Sequence, residues 1–90
     1  MASESLIAIA AYNQRQEENE RKLKILESQY YDLRDKCERM LEYTNSYEFR
    51  DISKREQDAI KMQYQAMRQY LECLIIRLEI HGIEVTNYTF

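Results

Sequence analysis

Turn-forming residues are nearly absent from this chain of 90 residues, which has one glycine and no proline. That excludes any Gly-rich phosphate loop and leaves few points at which a helix must stop. Cysteine and histidine are scarce as well. Two cysteines and one histidine cannot supply the four ligands of a structural zinc site, and two thiols without a secretion signal suit a reducing compartment. An excess of positive charge is also missing. Thirteen basic residues interleave with sixteen acidic ones for a net charge of −3, so no basic stripe exists to track the backbone of duplex DNA. The apolar run LIAIAA, Leu6 to Ala11, falls far short of the roughly 20 residues of a membrane span and lacks the basic flank of a signal peptide. The expectation is one cytoplasmic domain over residues 1–90 with no membrane segment. So short a chain buries little core alone.

What is present is helical periodicity. Leu23, Leu26, Tyr30, Leu33, Cys37, Met40 and Thr44 alternate spacings of three and four, the seam of a helix packed on another helix. The register runs backward through Asn19 and Gln16 to Tyr12 and Ile9, so a first helix is expected over about residues 4–44. Its polar middle, NQRQEENERK, favours helix through the acid-before-base pairs Glu17/Arg21, Glu18/Lys22 and Glu20/Lys24. A loop over 45–53 should follow, closing on the capping box Ser53-Lys54-Arg55-Glu56. The second helix, about 54–81, carries Ile60, Tyr64, Met67, Leu71, Leu74 and Leu78 on its seam, with Gly82 as a left-handed cap and a short extended tail over 82–90. One antiparallel register then pairs Thr44 with Ile60, Met40 with Tyr64, Cys37 with Met67 and Leu33 with Leu71. It continues through Tyr30 with Leu74, Leu26 with Leu78 and Leu23 with His81, and leaves no seam residue over. The fold class is all-α, a long antiparallel helical hairpin. Both cysteines read as small apolar residues in separate layers.

Two apolar surfaces fall outside that register. Ala59, Met62, Ala66, Gln69, Cys73, Ile76 and Ile80 form a second stripe on the far side of the second helix, and a helix apolar on two faces is buried on two faces. A homo-oligomeric helical bundle is the expected cover, with the tail as an alternative. Leu6, Ile9 and Tyr12 lie beyond the end of the second helix and need the tail, another subunit or a foreign partner.

No constellation for catalysis occurs. His81 has no serine or cysteine nucleophile at an interpretable spacing, and no nucleotide-hydrolysis or metalloprotease motif is present. The chain is not expected to be an enzyme or to hold a cofactor or metal. Tyrosine is the one excess, eight residues in 90, suited to interfaces by its flat apolar face and polar tip. Tyr70, Arg77, Arg68, Tyr31 and Arg34 are the candidates for stacking a base and holding a phosphate.

The segment ISKREQDAIKMQYQAMRQYLECLIIRL resembles the small helical-hairpin proteins encoded by tailed bacteriophages and prophages. Ser53, Glu56, Gln63, Ala66, Met67, Tyr70, Leu74 and Arg77 carry that resemblance, with Ser46, Phe49 and Ile52 in the preceding loop. It covers roughly Arg21 to Leu78, and the N-terminal extension and the NYTF tail depart from it. The resemblance implies a phage or prophage origin; by analogy of fold with oligomeric phage hairpins, the expectation is a non-catalytic protein of the host cytoplasm that antagonises a host defence system, by sequestering a small nucleotide signal or by occluding a host defence protein. The alternative is a structural protein whose function is self-association.

Overall fold

The computed structural model describes residues 2–85, with side chains from residue 6 onward. Helix α1 spans Ala2–Thr44, α2 spans Tyr47–Asp51 and α3 spans Lys54–Ile80. No strand occurs among the described residues. The molecule is a rod, 74 × 22 × 15 Å, because α1 is much longer than the α3 packed against it.

The core follows the antiparallel register. Leu26, Tyr30, Cys37, Leu71, Leu74 and Leu78 are buried in one cluster, with Leu33, Tyr64 and Met67 packed on it. Both members of four expected layers thus sit together: Leu26 with Leu78, Tyr30 with Leu74, Leu33 with Leu71, and Cys37 with Met67. Ile75, Ile83 and Val85 add to the cluster; Ile75 lies one residue off the seam and widens the buried face of α3. Cys73, expected to be buried, is exposed and free, whereas Cys37 is buried and free. The difference follows from the register, since Cys73 belongs to the second stripe.

The expected loop over 45–53 contains a helix instead. Ser46 caps α2, accepting from the Phe49 N–H at 3.3 Å while its own hydroxyl donates to the Tyr43 carbonyl at 2.6 Å. Phe49 is buried and meets Tyr43 edge-on at 5.8 Å, so one apolar side chain anchors a segment that is otherwise polar. Ser53 then accepts from the Glu56 N–H at 3.2 Å, the serine half of the capping box. The far end of α3 stops on Gly82 at φ +77°. Gly82 N–H donates to Glu79 O and Ile83 N–H to Leu78 O, the paired bonds of a Schellman cap. Ile83 packs back on the core as such caps favour.

One residue overlooked by pattern reading locks the corner. The Gln57 amide, on the first turn of α3, donates to Phe49 O at 3.0 Å, Ile52 O at 3.2 Å and Arg50 O at 3.5 Å. These carbonyls at the end of α2 have no helical partner, so one side chain satisfies what the short helix cannot. Gln57→Ala should therefore cost about 1–2 kcal/mol and lower the thermal midpoint by roughly 4–8 °C for each kcal/mol. A circular-dichroism melt matching that of the parent would show that water serves these carbonyls equally well.

Candidate functional site

Tyr70 and Arg77 lie one heptad apart on α3, and Gln63 lies one heptad before Tyr70. A step of seven residues nearly closes two helical turns, so all three share one flank of the helix, between the core face and the second stripe. Tyr70 remains 55% exposed. At ~1.5 Å of rise per residue, it stands about 10 Å from each of the other two along the axis.

Arg77 lines a cleft of about 450 Å3 at the open end of the hairpin, where α3 stops and α1 continues. Gln16, Asn19, Lys22, Leu23, Leu26 and His81 form the rest of its wall. Leu23 and Leu26 give it an apolar floor. Lys22 and Arg77 bring two basic side chains from two helices, and Gln16, Asn19 and His81 add polar groups. No carboxylate lines the cleft, on a chain that has more acidic residues than basic ones. An arginine fork and a lysine ammonium lining one cleft suit an anion, and the arginine can hold two oxygens of one phosphate. The volume lies in the range of about 300–1,000 Å3 common to small-molecule sites.

Gln63 lines a second depression on the same side, about 550 Å3, with Leu33, Lys36, Arg39, Met40, Tyr43 and Met67. Its walls also lack carboxylates, although Arg39 is held by Asp35 at 3.1 Å. Basic residues thus line both hollows on this side of the hairpin, with Tyr70 between them along α3.

The other three candidates lie apart from it. Tyr31 packs edge-on against Tyr30 at 5.1 Å. Arg34 pairs with Glu38 at 3.5 Å, and both Tyr31 and Arg34 line a groove shared with Asp32, Asp35 and Glu38. Three carboxylates there oppose an anionic ligand. Arg68 stacks over the Tyr64 ring at 6.0 Å, and its charge opposes the burial that pushes the Tyr64 hydroxyl and the Cys37 thiol above their ordinary values. A thiol raised from 9.0 stays protonated at neutral pH, so Cys37 packs as an apolar residue and is no nucleophile.

Leu6, Ile9 and Tyr12 project on α1 beyond the end of α3 and are exposed. On the second stripe, Met62, Ile76 and Ile80 are likewise exposed, as are Ala59, Ala66, Gln69 and Cys73. Tail residues Tyr88 and Phe90, a sequence-based cover for Ile9 and Tyr12, lie outside the described residues. No helix among the described residues is long and apolar enough to cross a membrane, and no three His, Cys, Asp or Glu residues there gather as a metal site.

An elongated all-α hairpin with a cationic cleft at its open end is an architecture suited to binding. The chain belongs to the Sequestin family, whose model matches residues 23–80, and the family name denotes a sequestering role. The match covers the packed hairpin and includes Tyr70 and Arg77, but it begins after most of the α1 overhang. No curated protein and no solved structure matches the chain.

Proposed function

We propose that this protein sequesters a small phosphate-bearing nucleotide, and that by doing so it serves a phage or prophage as an antagonist of a host defence signal in the host cytoplasm. The observation that carries this reading is the acid-free cleft on an acidic chain. Lys22 and Arg77 hold the phosphate, Gln16, Asn19 and His81 take further polar groups, and the exposed Tyr70 ring on the same flank offers a face for a base. No bond is made or broken, and the effect comes from occupancy. The Sequestin match and the resemblance to phage hairpins support the same role.

Self-association belongs to this reading because α3 leaves its second stripe open. An antiparallel pairing of α3 with a second copy sets Met62 against Ile80, Ala66 against Ile76 and Gln69 against Cys73, with every layer in one register. Small Ala66 meets large Ile76, which lets the two helices approach closely. Such a bundle repeats the cleft once per subunit.

The test is native mass spectrometry of the protein purified from a bacterial host, repeated after denaturation. The expected result is an oligomer carrying one nucleotide-sized mass per subunit, released on unfolding. An oligomer that stays ligand-free, even after incubation with nucleotide extracts, would reject the nucleotide reading and favour occlusion of a host protein.

A further inference from the structure

The seam that packs on α3 does not end where α3 ends. It continues along α1 through Asn19, Gln16, Tyr12 and Ile9 at the same spacings. Gln16 and Asn19 line the cleft together with Arg77 and His81, so their side of α1 faces the lane that α3 occupies further along. Ile9 and Tyr12 are 57% and 60% exposed. Ahead of α3 no described residue fills the lane, and α1 presents to it two apolar positions at the far end and two amides at the near end.

We infer that the lane is filled by the same segment of a second copy, running antiparallel. The register decides the occupant. When Ile9 of one copy meets Tyr12 of the other, twofold symmetry sets Tyr12 against Ile9, and the next layers bring Gln16 and Asn19 against the partner's first turn. Apolar Ile9 and Tyr12 thus meet one another, while Gln16 falls opposite position 5 and Asn19 opposite position 2 of the partner helix, in a single alignment. Beside this seam, Leu6 falls next to Asn13 of the second copy and Ala8 next to the Arg15 of that copy, so no like charges oppose one another.

The lane also has the right length. In this register the first described turn of the partner's α1 lies opposite Asn19, while His81, which caps α3, lies opposite Leu23. Four residues of rise, about 6 Å, separate the two helix ends, so the two helices do not overlap along the lane. The amino end of one helix then faces the carboxyl end of another, a favourable alignment of their dipoles. The partner's α1 closes the open end of the cleft beside Gln16 and Asn19. This contact uses residues ahead of the Sequestin match and none of the α3 stripe; it shares Gln16 and Asn19 with the cleft, but its seam of Ile9 and Tyr12 lies outside it.

Two single-substitution chains test the register, Ile9→Cys and Tyr12→Cys, each also carrying Cys73→Ser so that buried Cys37 is the only other thiol. Mixed and treated with a mild oxidant, they are expected to yield a disulfide-linked dimer that neither chain yields alone. Self-linking of either chain to the same extent would overturn the inference, because it signals parallel or random contact. Absence of a link in the mixture would overturn it too, as when the tail or a foreign protein covers this seam. In a second measurement, Ile9→Glu in the parent chain should halve the mass seen by light scattering while helicity is unchanged, and an unaltered mass would count against the contact. Arg77→Glu should leave the mixed cross-link intact, which separates failure of this contact from failure of ligand binding.

Discussion

Leu74→Ala is expected to destabilise the hairpin by about 2–5 kcal/mol, the range for truncating a fully buried leucine. Leu74 is 1% exposed and lies opposite Tyr30, which is 0% exposed, in a core of six buried side chains. A chain of 90 residues has a total stability of roughly 5–13 kcal/mol, and a two-helix rod with most residues exposed belongs near the lower bound. The variant should therefore be largely unfolded under mild urea that leaves the parent intact. Ile76, two residues on, is exposed, and Ile76→Ala at low protein concentration should move the urea midpoint by less than about 0.5 kcal/mol equivalent. In the proposed bundle, Ile76→Ala should lose more at high concentration, where association would cover the second stripe. Equal losses for both substitutions at low concentration would mean that the buried face of α3 has been misassigned.

The hairpin was legible because its signal is repetitive. Seven layers agree on one antiparallel register, so a wrong spacing at one position is outvoted by the rest, and the buried cluster of Leu26, Tyr30, Leu74 and Leu78 is the one that periodicity names. Features that depend on a single side chain were not legible. Phe49 anchors a one-turn helix in a stretch whose composition says loop, and Gln57 serves carbonyls five to eight residues away. Neither contact has a period. The cleft lies between these cases. Arg77 could be named from residue type, but Lys22 stands in the polar middle of α1 and joins it only because α3 ends beside it. The acid-free lining is visible only once both helices are placed. Arg34 shows the converse, a residue of the right type whose neighbours Asp32, Asp35 and Glu38 give it acidic surroundings.

Arg77→Glu combined with Lys22→Glu is expected to lower nucleotide affinity by roughly 10²–10⁴-fold. Each cation lost from a phosphate is worth about 1.5–3 kcal/mol, and every 1.4 kcal/mol is a factor of about ten. Both side chains are exposed in the free chain, so the double variant should keep the helicity and melting midpoint of the parent. Tyr70→Ala should weaken binding less, by about 1–3 kcal/mol for a lost stacking face, and more for a ligand with an accessible base than for inorganic phosphate. Arg34→Ala, on the acidic groove, should leave affinity unchanged. Titration calorimetry with the mass-identified nucleotide measures the three variants and the parent, and the parent's affinity should fall as salt rises, because exposed cations are screened over about 8 Å at physiological ionic strength. A double variant that binds as tightly as the parent, or an Arg34→Ala chain that loses affinity, would move the site to the opposite side of the hairpin, where Tyr31 and Arg34 would then have to hold the ligand against three carboxylates.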